Sequence, residues 1–287
     1  MKKTAIYQQK RSEAPGWINT WIQSPTWLLG AGVSLALCAV VYAANAMLGR
    51  LSPGSVWGLA YGIGAAVLLV ALSLYGLRRK VVRLPRLQRV WYYLQFHVYG
   101  GVLFLVLMLM HTNFHVPRGV LTWWLWALSL WLVATGLIGS ALQKWVPRLI
   151  QGGLSNEVQL QRIPELLEAI RKEGEALSTR GTERMQDLYR ERIAGHLASL
   201  RPQLAYFIDP SGFIQRQSAF FDAMRRYLGG AELEQLDDLA RLYRAKLELD
   251  AHYTLQRTLR VWLVFHVPVA MIVLGLVALH VATVFYY

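Results

Sequence analysis

Cysteine is almost missing: Cys38 is the only one in 287 residues. A single thiol excludes an intrachain disulfide framework, a cysteine-based zinc site and a cysteine-ligated iron–sulfur cluster. No Cys-x-x-Cys-His run occurs, which excludes covalent c-type haem attachment. Charge is scarce too. Only 16% of residues are charged and 55% are hydrophobic, against roughly 25% charged in a soluble domain. Acid is concentrated in one place. Residues 144–257 hold 17 Lys/Arg and 16 Asp/Glu, whereas the rest of the chain holds 13 Lys/Arg and one acid, Glu13. The net charge of +13 therefore flanks apolar segments, as topology signals do, and is not gathered into a nucleic-acid-binding face. Neither a phosphate loop nor a G-x-G-x-x-G opening a helix after a strand is present, and no internal repeat is evident.

What is present is long uncharged sequence. A helix crosses a bilayer with about 20 apolar residues, and five stretches meet this, with apolar cores at 27–48, 55–77, 91–113, 120–143 and 260–285. The expected class is an all-α polytopic membrane protein. Its parts are an N-terminal segment 1–26, four spans within 27–143, an insert 144–257 and a fifth span within 258–287. Lys/Arg bias sets the expected orientation. Lys2, Lys3, Lys10 and Arg11 mark the N-terminus, and Arg78, Arg79, Lys80, Arg83, Arg86 and Arg89 mark the second connection, while the first and third carry one arginine each. The N-terminus and the insert are then cytoplasmic and the C-terminus outside, in an inner (cytoplasmic) membrane. Trp123, Trp124, Trp126, Tyr286 and Tyr287 are placed for an aromatic belt at the outer interface. Ala44-Asn45-Ala46 resembles a small-residue cleavage site, but the long apolar run before it favours an anchored helix.

The insert reads as mainly helical. Ile163–Leu177, Thr182–Leu200 and Ile214–Leu228 have helical apolar spacing, Asp209-Pro210-Ser211-Gly212 is a turn signal, and 157–162 alternates as a short strand would. Gly152-Gly153 and Gly229-Gly230 read as helix stops. From Ala231 no breaker precedes the fifth span, so one long helix is expected there.

Four histidines fall inside spans: His97 and His111 on the third, His266 and His280 on the fifth, each pair 14 residues apart. Fourteen steps of about 100° end about 40° short of four turns, so each pair shares a face, with roughly 21 Å between its members along the axis. The third and fifth spans run in the same sense. His97 then meets His266 near one leaflet, and His111 meets His280 near the other. Ionisable residues within spans are functional candidates. Two imidazoles can fill both axial positions of a haem iron, whereas zinc or copper normally takes further ligands, and the spans offer neither Asp nor Glu. The expected cofactors are two non-covalent haem b groups, with histidines in polar packing or a proton relay as the competing readings.

This constellation resembles the bis-haem transmembrane cytochrome b group. It is similar to the membrane domain of ferric reductases and NADPH oxidases, and to the quinol-linked cytochrome b subunits of respiratory chains. The likeness covers roughly residues 55–143 and 258–285, with His97, His111, His266 and His280 at the ligand positions. It does not extend to 144–257. The chain ends after the fifth span without the reductases' flavin and nicotinamide domain, and the Pro-Glu-Trp-Tyr signature of quinol-oxidising cytochrome b is absent. The resemblance therefore implies architecture and ligands, and neither family's specific reaction.

Around the histidines, Gly101 and Gly100 are candidates for letting a flat macrocycle approach, and Arg118 for neutralising haem propionates, with Arg89 and Arg260 as positive-inside anchors or propionate partners. Gly58 and Gly62 read as a helix-packing pair, Phe104 and Met108 as core or as filler between the cofactors, and Pro268 as a kink. His115 reads as a loop residue, His196 as structural and His252 as interfacial. The expected function is electron transfer across the membrane, with lipid, a quinone and a partner redox subunit (a cytochrome c, an iron–sulfur protein or a flavoprotein) as partners. The insert is the expected docking surface. Two alternatives are a terminal transmembrane reductase acting on ferric iron or a similar acceptor, and a haem-free scaffold subunit.

Overall fold

The computed structural model describes residues 25–49, 52–81, 90–154 and 158–286. Among them there are helices and turns and no strand. Five helices are long and apolar enough to cross a membrane: α1 (Pro25–Met47), α2 (Val56–Val81), α3 (Val90–His111), α4 (Val120–Gly153) and α9 (Gly230–Tyr286). The protein is an integral membrane protein on this evidence. Two compact units divide the described chain, one of residues 25–141 with 262–286 and one of residues 142–261.

In the spanning unit, α2 packs along α3, and α1 packs against α3. Its interior is a small apolar cluster that includes Leu69, Phe104, Met108, Leu132 and Val273. Most of its large apolar side chains face outwards, Leu29, Val33, Val67 and Met271 among them. This is the expected solution where lipid is the solvent. The turn from α3 to α4 puts Asn113 and Phe114 at φ 51° and 56°, in the left-handed region that a bulky residue rarely enters. The Tyr42 hydroxyl donates to Asn113 Oδ1 at 2.5 Å, and the Tyr42 ring meets Phe114 edge-on at 5.4 Å, so neighbours hold the strained pair in place. Trp126 departs from the expected belt. It packs on the central apolar cluster, whereas Trp123 and Trp124 are exposed.

The other unit folds around a core that includes Ile163, Ile170, Leu197, Phe221, Leu236 and Leu247. It contains α5 (Ile163–Thr179), α6 (Glu183–Leu188), a π-helical turn Tyr189–Ile193, α7 (Ala194–Leu197), α8 (Pro210–Arg225) and the first half of α9. Three features correct the sequence reading. Asp209-Pro210 opens α8 and is no free turn: Asp209 Oδ1 accepts from the Gly212 N–H at 2.8 Å, and Pro210 occupies the first turn. The helix expected over 182–200 is broken by the π turn. Leu160–Arg162 is a 3-10 turn where a strand was expected, and residues 155–157 lie outside the described ones. α4 runs past its apolar core with Pro147 inside it and ends at Gly153, as the Gly152-Gly153 stop predicts. The break at Gly229-Gly230 is confirmed by Gly230 at φ 56°, and α9 then runs unbroken to Tyr286 and accommodates Pro268.

One buried ion pair lies in this unit. Lys246 Nζ donates to Asp250 Oδ2 at 2.6 Å, with both residues nearly inaccessible, and the Arg201 backbone N–H donates to Asp250 Oδ1 at 3.0 Å. Burial pushes the Lys246 amine down and the Asp250 carboxyl up from their ordinary values, each opposed by the other's charge. His252, two residues on from Asp250, is buried.

Candidate functional site: two facing imidazole pairs

α3 and α9 face one another at two levels. The His97 and His266 ring centres are 6.5 Å apart with planes at 74°, and those of His111 and His280 are 6.3 Å apart at 70°. Because the lower-numbered histidines pair together and the higher-numbered ones pair together, the two helices are parallel, as the sequence leads one to expect. Between the pairs lies the driest layer of the unit. Phe104 is seven residues from both His97 and His111, Val273 is seven from both His266 and His280, and both are buried in the same apolar cluster. Phe104 and Met108 are thus core residues between the two sites.

The separations exclude a direct hydrogen bond between the rings of a pair. A direct N–H···N bond of about 2.9 Å would bring two ring centres to about 5.2 Å. A metal ion held by one nitrogen of each ring, at about 2.0–2.1 Å per bond, sets opposed ring centres about 6.3 Å apart. Both pairs are too far apart for the direct bond; their spacing equals the second and also lies within the roughly 4.5–7 Å of edge-on ring packing. Among the described residues, no group of three or more His, Cys, Asp or Glu side chains converges that could hold a bare metal ion.

Three of the four rings have a hydrogen-bonding partner at Nδ1. For His97 it is the Leu72 carbonyl at 3.3 Å, for His111 the Gly58 carbonyl at 2.8 Å, and for His266 the Thr135 hydroxyl at 3.0 Å. A carbonyl can only accept, so His97 and His111 carry their proton on Nδ1 and present an unprotonated Nε2, the arrangement that ligating histidines use.

The space around the rings is made by small residues. A Cβ on Gly62 would lie 2.8 Å from His111 Nδ1, and one on Gly136 would lie 3.4 Å from His266 Cε1. Gly62 therefore seats the His111 ring where α2 packs on α3, in keeping with the helix-packing reading, and Gly58 supplies its carbonyl. Gly58 also lies hard against the Ser52 and Pro53 carbonyls of the preceding turn. Beside His97 and His266 lies a small, partly open apolar slot lined by Leu69, Gly101, Phe104, Val133 and Gly136 among others. Gly101 thus borders the slot with nothing within 4 Å of its would-be Cβ, whereas Gly100 packs against Leu72. Arg118 is exposed in the α3–α4 turn, and among the described residues it makes no hydrogen bond or ion pair. Arg89 lies outside the described residues.

Sequence reasoning missed Thr135, Gly139 and Trp262. The Trp262 ring stacks on His266 at 5.2 Å and 26°, and its Nε1–H donates to the Thr135 carbonyl at 2.8 Å. A Cβ on Gly139 would lie 2.0 Å from the indole. The one available signal was the facing of a threonine and two glycines along a single stripe of α4, which ordinary helix packing also produces.

Compared with protein-family models, with curated proteins and with solved structures, the chain finds no match in any of the three.

Proposed function

We propose that this protein is a di-haem cytochrome b-type membrane subunit that carries electrons between the two faces of a membrane, linking the quinone pool to a partner redox protein. The observation that carries this reading is the pair of ring separations, 6.5 Å and 6.3 Å, repeated at two levels of two parallel helices. Three features support haem b: two facing imidazoles per site, an Nδ1 partner for three of the four rings, and an apolar space bordered by Gly101 and Gly136 beside the His97/His266 pair. When bound, haem b supplies a one-electron iron couple at each site.

The chain's own contributions follow from its residues. His97 with His266 and His111 with His280 would hold the iron from both sides, which leaves no axial position for dioxygen and favours electron transfer over oxygen activation. Leu72 O, Gly58 O and Thr135 Oγ1 fix ring orientation and tautomer. Phe104, Leu132 and Val273 keep water out between the two levels. Lysine and arginine bias supports a cytoplasmic N-terminus and insert, and an external C-terminus. The insert is then the docking surface for the partner redox subunit, a cytochrome c, iron–sulfur protein or flavoprotein.

Substitution of the ligands tests the reading. His97→Ala and His280→Ala are each expected to remove one haem from the purified protein, leaving a membrane-inserted chain with half the wild-type haem. Full haem retention in either variant contradicts the assignment.

A further inference from the structure

His266 is held by one turn of α4. Thr135 Oγ1 lies 3.0 Å from His266 Nδ1, and 2.9 Å and 3.0 Å from the Trp131 and Leu132 carbonyls of its own helix. A hydroxyl has one proton and two acceptor lone pairs. With the proton given to the helix carbonyls, as threonine in a helix commonly does, the oxygen is an acceptor facing the ring, and the His266 Nδ1–H donates to it. The same residue's carbonyl accepts from Trp262 Nε1, and the absent Cβ of Gly139 admits the indole, which lies flat on His266. Thr135 therefore fixes the imidazole at Nδ1 and, through Trp262, on its face.

The other level is built differently. His111 donates to a backbone carbonyl, Gly58 O, at 2.8 Å, and among the described residues the His280 ring makes no hydrogen bond. So the His97/His266 level has a side-chain acceptor, Thr135, beside the main-chain acceptor Leu72 O, whereas the His111/His280 level has a main-chain acceptor only.

Resting on the haem reading, we propose that Thr135 is a positioning residue that sets the tautomer of His266 and, through it, the reduction potential of the His97/His266 site independently of the His111/His280 site. A hydrogen-bond acceptor on Nδ1–H raises the basicity of the ligating nitrogen. That favours the oxidised, more positive iron and lowers the potential. Removing the acceptor raises it at that site alone.

The test uses the full-length protein, purified with its haem. Redox titration of the haem absorbance is compared for wild type, Thr135→Val and Thr135→Ser, alongside haem content. Thr135→Val is expected to retain two haems and to shift one of the two titration waves to higher potential, while the other stays in place. Thr135→Ser, which keeps the oxygen, is expected to return the wild-type waves. Two haems with both waves unmoved in Thr135→Val overturns the proposal and reduces Thr135 to packing. Should Thr135→Val lose a haem, retention in Thr135→Ser with wild-type waves supports the role, and the same loss in Thr135→Ser contradicts it. A haem-free wild type is a separate failure, since it removes the underlying reading.

Discussion

The spanning unit and the insert solve opposite burial problems with the same element. In the spanning unit the apolar side chains point outwards and few are buried; in the insert they converge on Ile170, Leu197, Phe221 and Leu236, and the charges form exposed pairs such as Arg171 with Glu168 and Glu175. Water drives the second arrangement and cannot drive the first, because lipid is as apolar as the core. Polar groups follow suit. The spanning unit half-buries four histidines, three of which have a hydrogen-bonding partner at Nδ1, and it buries Asn45 against the Tyr61 hydroxyl. The insert buries a Lys246–Asp250 pair together with His196 Nε2 and Tyr206 Oη, which have no hydrogen-bonding partner. The spanning unit carries its own orphans in Gln95, Trp126 and Ser129, which the account of the two sites does not use.

The sharpest contrast is expected from one substitution made twice. Phe221 and Phe104 are both buried aromatics, one in each unit. Phe221→Ala should cost about 3–5 kcal/mol, combining lost transfer from water with a cavity. Phe104→Ala should cost roughly 1.5–3 kcal/mol less, because the transfer term is missing where lipid is the solvent. Thermal unfolding of the full chain in detergent, followed by hydrogen exchange in each unit, measures both. Equal costs would break the contrast.

A smaller, pH-dependent effect belongs to the insert alone. Burial, with the nearby Lys246 and Arg201 charges, pushes the His196 imidazole down to about 3. In the unfolded chain it titrates near its ordinary value of about 6.5. Below that value the unfolded state takes up a proton that the folded state refuses, so stability falls as pH drops from about 6.5 towards 3 and is unaffected above. The slope is at most about 1.4 kcal/mol per pH unit. His196 stacks on Tyr243 at 4.2 Å, so His196→Phe keeps the contact and removes the titration. The variant is expected to outlast wild type in the insert's hydrogen exchange increasingly as pH falls from 6.5 to 4.5. Parallel losses in both proteins would contradict the assignment. Asp250, whose carboxyl is pushed up by burial, is present in both and cancels.

Much of this was legible beforehand, for identifiable reasons. Uncharged runs longer than a bilayer are unambiguous, and so are two 14-residue histidine spacings, because helical periodicity alone places each pair on a face. Less regular features were hidden. Asp209-Pro210 serves equally well as a turn or as a helix start, and only the Gly212 N–H bond decides between them. Lys246, Asp250 and His252 look like a solvated face of α9, and their burial depends on helices α5 to α8 packing over them. Gly62 reads as a packing glycine, and only the structure shows that what packs against it is the His111 ring. Thr135 and Trp262 carried no local signal, because their role exists only across α4 and α9.

The central claim is that two pairs of imidazoles hold two haems. A reduced-minus-oxidised absorption spectrum of the purified full-length protein, with haem quantified against protein, tests it directly. Two b-type haems per chain are expected, and a colourless protein would contradict the account.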